Sequence, residues 1–182
     1  GALGERGVSQ MVAIEDLAPN VGVKQSWAAP GHTMEHQIFF LRDGDFECAF
    51  VGDTLFQAGV GNCKNGGDPH TLYQTLQSLS ARLEPSVWIL PGHDYLARNL
   101  AFAEHVDPAN GEVKKRLRQI EGSDTQDLPP SQWGVELKLN PFLRTREASL
   151  RETMHSVLSL LASRTEGDEI VFTTLRKLRD NW

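Results

Sequence analysis

"FVGDTLFQAGVG", Phe50 to Gly61, places a carboxylate, Asp53, where an apolar run gives way to a loop. Ala49 to Val51 reads as the end of a buried strand and Gly52 as the turn after it; Leu55 and Phe56 resume burial at once. A charge there is costly unless it is paired, bound to a cation or used as a turn cap. The same unit occurs twice more: "SWAAPGH" ends an extended segment in Gly31-His32, and "WILPGH" ends another in Gly92-His93. A divalent metal needs lone pairs converging from rigid supports, which strand ends supply, and neutral imidazole plus carboxylate suits zinc, iron or manganese. A glycine before each ligand lets the backbone turn sharply. One such unit is a capped turn; three in series make His32, Asp53 and His93 candidate metal ligands.

The flanking segments read as strands first and helices after. "VGVKQSW" alternates, with Val21, Val23 and Trp27 on one face. Ile38 to Leu41 and Phe46 to Val51 flank Asp43-Gly44 as a hairpin. Leu72, Leu76, Leu79 and Leu83 share one face of a helix that Asp68-Pro69 starts. Val87 to Leu90 is a short buried strand broken by Pro91-Gly92, and "YLARNLAFAEHV" is a helix that stops near Pro108. Beyond it, "ANGEVKKRLRQIEG" is a helix ending at Gly122, "SDTQDLPPSQWG" a loop and "LNPFLR" a short bounded piece. An amphipathic helix over Glu147 to Ser163 aligns Leu150, Met154, Val157, Leu158 and Leu161. A last helix, capped by Asp168, carries Arg176 and Arg179. The reading is α/β, with a metal-binding part over 1–108 and a helical part over 109–182.

Composition narrows the function classes. The 182 residues, 40% apolar and 23% charged, suit one domain, or one with a small appendix. No run of about 18 apolar residues exists to cross a membrane, and "GALGERGVSQ" lacks the basic start and apolar core of a signal peptide. Two cysteines, Cys48 and Cys63, are too few for a disulfide scaffold, so a reducing compartment is expected: the cytoplasm, with the mitochondrion as the alternative. Residues 1–108 hold 6 Lys+Arg against 13 Asp+Glu, a net −7, and residues 109–182 hold 12 against 11, a net +1. Nothing in this points to nucleic acid. The asymmetry fits cation binding in the first part and anion binding in the second, or uneven solvated faces.

Rival chemistries find no support. There is no G-x-S-x-G nucleophile elbow. "GVGNCKNGG" matches neither glycine-rich phosphate motif, because Lys64 stands where the third glycine of G-x-G-x-x-G would be. Cys63 has no histidine near it in sequence to act as a base.

On "PGHTMEH", "FVGDTLFQAGVG", "PGHDY" with "RNLAFAEHVDPAN", "NPFLRTRE" and the terminal "LRKLRDNW", the chain resembles the metallo-β-lactamase superfamily, and within it glyoxalase II, the hydroxyacylglutathione hydrolases. These pieces run in the family's order from about residue 27 to the end. The resemblance implies part of an αββα sandwich followed by a small glutathione-binding helical domain. It implies two divalent metals, zinc first with iron or manganese as alternatives, with His32 on one, His93 on the other and Asp53 bridging. Tyr95 would contact glutathione, and Arg176 and Arg179 would hold its glycine carboxylate; their spacing puts both on one helix face, and the bland alternative is a solvated helix end. The implied reaction is hydrolysis of S-D-lactoylglutathione to D-lactate and glutathione by a hydroxide shared between the metals.

Two departures qualify that resemblance. The family's H-x-H-x-D-H motif, which supplies the other ligands, does not occur here, and no histidine precedes His32. After Gly61 the chain reads "NCKNGGD", where Asn62 and Lys64 stand at positions the family fills with a basic and an aromatic residue; Lys64 remains a candidate contact to the substrate's carboxylate. His36 is expected to hydrogen-bond beside the site from a strand, His70 to be solvated, and His105 and His155 to be structural or exposed. A truncated sequence would leave apolar sheet surface and a strand edge uncovered. The enzyme is then a monomer when full-length, or completed by another chain. The alternative from another class is a degenerate, non-catalytic relative that binds a glutathione-like ligand or a partner chain. The single-iron persulfide dioxygenase branch ranks lower, since it lacks the helical domain.

Overall fold

A mixed five-stranded sheet forms the framework of the computed structural model, which describes residues 22–125, 128–160 and 167–182. Its order is β1 (Val23–Ala28), β2 (Gln37–Asp43), β3 (Phe46–Gly52), β6 (Trp88–Pro91) and β7 (Ser131–Gln132). A separate ribbon pairs β4 (Leu55–Phe56) with β5 (Gly59–Val60). β1, β2 and β3 are antiparallel neighbours, β3 and β6 are parallel, and β7 runs antiparallel to β6. The hairpin expected at Asp43-Gly44 forms there, with Gly44 at φ +58° in the left-handed region its turn requires. Parallel β3 and β6 need a long crossover, and α1 (Pro69–Ser80) lies within it. Asp68 caps α1 by accepting from Thr71 N at 2.7 Å, Pro69 occupies the first turn, and Leu72, Leu76 and Leu79 are buried.

The remaining helices are α2 (Leu96–Val106), α3 (Gly111–Ile120), α4 (Trp133–Leu139), α5 (Ala148–Leu160) and α6 (Asp168–Asp180), with a 3-10 turn at Pro141–Leu143. One apolar cluster joins the sheet to these helices: Ile38, Val51 and Ile89 belong to the same core as Phe142, Leu150, Phe172 and Leu175. Packing is therefore continuous across residue 108. The other side of the sheet is less covered. Phe46 and Phe50 are exposed, and β1 has only β2 beside it among the described strands.

Several local readings change. The loop read over "SDTQDLPPSQWG" contains β7 and runs into α4, a helix too short to show a period. The β4–β5 ribbon was hidden inside the quoted stretch, because its two-residue strands carry no alternation. Asp168 does not cap α6. Gly167 holds that position, and Asp168 instead accepts from Arg146 and Arg151. Val21 and Leu161 lie outside the described residues, and the side chains of Val157 and Leu158 outside those described.

Candidate metal centre

β3 and β6 end side by side, and their ladder slips there. Phe50 faces Leu90, yet Gly52 already faces Pro91, so Val51 is an extra residue. A bulge of this kind bends the strand and re-aims the residues beyond it; here Gly52 adopts φ +49° and Asp53 is the next residue. Gly92 N donates to the Gly52 carbonyl at 3.1 Å. Gly92 serves close approach rather than an unusual φ, since a Cβ on it would lie 2.8 Å from Asp53 Oδ1. Two touching backbones thus bring Asp53 and His93 together. His32 comes from the turn after β1, and His36 lies in that same irregular stretch, which corrects the reading of His36 as a strand residue. Gly31 turns at φ +138°, and its carbonyl accepts from Asp68 N at 2.9 Å, which ties the turn to the start of α1.

The three side chains meet. Asp53 Oδ2 stands 3.6 Å from His32 Nε2 and 3.6 Å from His93 Nε2. Both separations exceed a normal hydrogen bond. His32 Nδ1 lies 2.6 Å from the Asn62 carbonyl oxygen. A carbonyl can only accept, so Nδ1 is the donor and Nε2 is the nitrogen turned toward Asp53. Exposure rises across the trio, from 13% at His32 and 27% at Asp53 to 56% at His93. His36 Nε2 lies 3.2 Å from the Val51 carbonyl, and its ring meets that of His32 edge-on at 5.9 Å. It supports the bulge beside the site. Among the described residues, no group of three or more His, Cys, Asp or Glu surrounds a single cation position; one carboxylate oxygen stands between two imidazoles instead.

Tyr95 sits at the start of α2, 44% exposed, with its ring 5.5 Å from that of His93 and edge-on to Phe56 at 5.0 Å. The basic residues gather at the end of α6. Lys64 Nζ reaches the Asp180 carbonyl at 3.4 Å. Arg179 donates to Asn99 Oδ1 at 3.2 Å and lies over the Phe102 ring. Burial, then the neighbouring charges of Arg98 and Arg176, pull its pKa below the ordinary arginine value. Arg176 faces inward: it is 5% exposed, and it donates to the carbonyls of Val60 (2.9 Å) and Gly61 (3.2 Å) and to Asp180 Oδ1 (3.0 Å). Burial lowers its pKa, and Asp180 offsets part of that drop. His70 pairs with Glu169 Oε1 at 2.8 Å.

Sequence reasoning passed over three residues that hold the ribbon next to Asp53, and it missed the part Asn62 plays. Asn99 Nδ2 donates to the Gln57 carbonyl, Asn140 Nδ2 donates to the Gly59 carbonyl, and Glu136, fully buried, accepts from Ala58 N at 2.8 Å. Asn62 supplies the carbonyl that orients His32. For Asn140 the only signal was its place before Pro141, which reads as a boundary.

Comparison with known proteins agrees with the C-terminal motifs. The family model for the hydroxyacylglutathione hydrolase C-terminus matches residues 94–182. A hydroxyacylglutathione hydrolase from Nitrosococcus oceani is 37% identical over 157 residues, covering 84% of this chain and 57% of that one. The chain belongs to the hydroxyacylglutathione hydrolase family. A further member, from Neisseria meningitidis, is 35% identical over 154 residues, covering 85% of this chain and 58% of that one. The chain thus spans less than two thirds of the length of these family members. Among solved structures, it is similar to a metallo-beta-lactamase from Staphylococcus aureus, at 19% identity, with 86% of this chain and 38% of that one covered and a TM-score of 0.45.

Proposed function

We propose that the chain carries part of the active site of a glutathione thiolester hydrolase, with S-D-lactoylglutathione as substrate and D-lactate and glutathione as products. The observation that carries this reading is a single oxygen, Asp53 Oδ2, standing 3.6 Å from two imidazole nitrogens. Ligands about 2.1 Å from a tetrahedral ion stand roughly 3.4 Å apart, so the spacing fits a cation in each gap. The donor chemistry fits as well. His32 presents Nε2 because Asn62 holds its other nitrogen, the usual support of a metal-binding histidine. His32 and Asp53 would hold one ion, His93 and Asp53 the other, with zinc the first choice and iron or manganese next. Bound there, the ions supply Lewis-acid charge that brings a water's pKa toward neutrality and stabilises the oxyanion forming on the thiolester carbonyl.

The chain's own side chains do the rest. Tyr95 offers an exposed hydroxyl beside His93 to the glutathione peptide. Lys64 and Arg179 offer cations to its carboxylates, so binding energy spent away from the carbonyl orients it. The test is Asp53→Ala in the full-length protein, measured for metal content and for hydrolysis of a glutathione thiolester. Both are expected to be lost. A metal-replete, fully active variant refutes the bridging role. A wild-type protein that binds glutathione yet neither loads metal nor turns over supports the non-catalytic reading instead, which three donors shared between two sites favour.

A further inference from the structure

A second concave site lies at the end of β6 opposite Gly92-His93, away from the metal centre. It is a cavity of about 310 Å3. One face of α3 forms its first wall: Glu112, Lys115, Arg116 and Gln119 fall at i, i+3, i+4 and i+7, the spacing that lines up one side of a helix. The second wall is α4, with Val135, Lys138 and Leu139 at i, i+3 and i+4. The half-buried Trp88 at the start of β6, with Pro129-Pro130, closes the hollow. Three cations thus line it with one carboxylate, in a chain whose formal net charge is −6. They are poorly neutralised. Lys115 Nζ stands 3.9 Å from Glu112 Oε2, and Arg116 donates to the uncharged Gln119 Oε1 at 3.5 Å. Among the described residues, neither Arg116 nor Lys138 forms an ion pair. Like charges gathered round one hollow repel each other, and an anion between them relieves that repulsion. A solvated helix face also needs no apolar wall opposite it, whereas this one faces Trp88, two prolines and Val135, itself 38% exposed.

We propose that this cavity binds an organic phosphate of mononucleotide size, with the phosphate held by Lys115, Arg116 and Lys138 and a flat ring laid against Trp88. A guanidinium between two ammonium groups suits a phosphate, which it can take through paired hydrogen bonds while the lysines add charge. The indole face suits an aromatic base, since every base has a π-face to stack. The volume sets the size: about 310 Å3 lies at the small end of ligand sites, enough for one nucleotide and too little for two. The site uses none of the residues assigned to the thiolester reaction, so it stands whether or not the proposed function does. It also gives a task to "EVKKRLRQ", Glu112 to Gln119, a basic run that the metal centre and the end of α6 leave unused.

The experiment titrates the full-length protein with adenosine 5′-monophosphate, adenosine and inorganic phosphate by calorimetry, and follows tryptophan fluorescence in parallel. The nucleotide is expected to bind with a Kd on the order of 10–100 µM. Adenosine and phosphate alone should each bind at least about tenfold more weakly, because each keeps only one of the two contacts. The double variant Arg116→Gln with Lys138→Gln should weaken the nucleotide at least about tenfold. Trp88→Phe should abolish the fluorescence change while a ring remains to stack on. Saturating S-methylglutathione should leave the nucleotide's Kd unchanged. Nucleotide binding that S-methylglutathione displaces, or that the double variant leaves intact, overturns the proposal by placing the ligand at another site. Adenosine binding as tightly as the nucleotide overturns the role of the three cations, and phosphate binding as tightly overturns that of Trp88. No binding of the nucleotide at 5 mM, a concentration at least about fiftyfold above the expected Kd, overturns the site itself. Should the double variant fail to fold, Lys138→Gln alone, on an exposed side chain, decides by the same titrations, with a loss of at least about threefold expected.

Discussion

Glu136→Gln tests the buried carboxylate beneath the β4–β5 ribbon. Glu136 has no exposed surface and takes hydrogen bonds from Ser131 Oγ, Ala58 N and Asn140 Nδ2. Burial raises its pKa from an ordinary 4.5 to about 6, the three hydrogen bonds offsetting only part of that rise. The folded state therefore holds this proton more tightly than the unfolded chain does. Its stabilising effect is full below about pH 4.5 and is lost as the pH rises through about 6. The rise from 4.5 to about 6 corresponds to about 2 kcal/mol. This sign is opposite to that of Asp68, whose carboxyl is lowered by the Thr71 backbone hydrogen bond and whose contribution disappears below the ordinary value of 3.8. Glutamine keeps the volume and one acceptor for Ala58 N, and it does not titrate. Its second N–H needs a partner, which adds a constant offset of about 1–3 kcal/mol. The slope carries the test. Urea unfolding at pH 4.5, 5.5, 6.5 and 7.5 should give a difference, wild type minus variant, that falls by about 2 kcal/mol across the series. Parallel curves for the two proteins would mean that Glu136 is not protonated in the folded state at pH 4.5–6, and the burial argument would fail.

Gly61→Ala should force the Asp53 and Gly61 backbones apart, since the added Cβ would meet the Asp53 carbonyl oxygen at 2.0 Å. The expected loss is about 3 kcal/mol, roughly 6–12 °C in melting temperature, with weaker Zn2+ binding; a melt within about 1 °C of wild type contradicts it. Asp107 is buried where α2 ends, accepting from Arg144 Nε (3.2 Å) and Nη2 (3.1 Å) and from Ser149 Oγ (2.8 Å). Asp107→Ala should cost about 3 kcal/mol by urea unfolding, and a double-mutant cycle with Arg144→Ala should show coupling above about 1 kcal/mol; additive losses would show that the pair is incidental.

The parts legible in the sequence are those whose signal is local. Asp68-Pro69 with leucines at helical spacing after it describes α1 with its cap, and Asp43-Gly44 between two apolar runs describes the β2–β3 hairpin. Each strand–glycine–ligand unit marks a strand end next to a backbone that must turn or approach closely. The convergence of His32, Asp53 and His93 rested on repetition of that unit, since the touching backbones at Gly52 and Gly92 involve pairing across about 40 residues. The parts that stayed hidden have no local signature. Asn99 and Asn140 look like ordinary polar residues until the ribbon lies against them. Glu136 sits in a seven-residue helix whose pattern does not announce a fully buried acid.

Arg176 shows how much a charge pattern leaves open at a helix end. Arg176 and Arg179, three residues apart, read as one basic face, and α6 does carry both. Yet the helix packs so that the two diverge in environment. Leu175 and Phe172 enter the core, and Arg176 goes in with them, 5% exposed, with its guanidinium 5.3 Å from the Phe142 ring centroid. A buried guanidinium needs acceptors around it; the carbonyls of Val60 and Gly61 and the Asp180 carboxylate supply them to its two terminal nitrogens, while Nε has no protein partner among the described residues. The two bonds to carbonyls tie the last helix to the ribbon that follows Asp53. Arg179 takes a different path, over the Phe102 ring to Asn99 Oδ1.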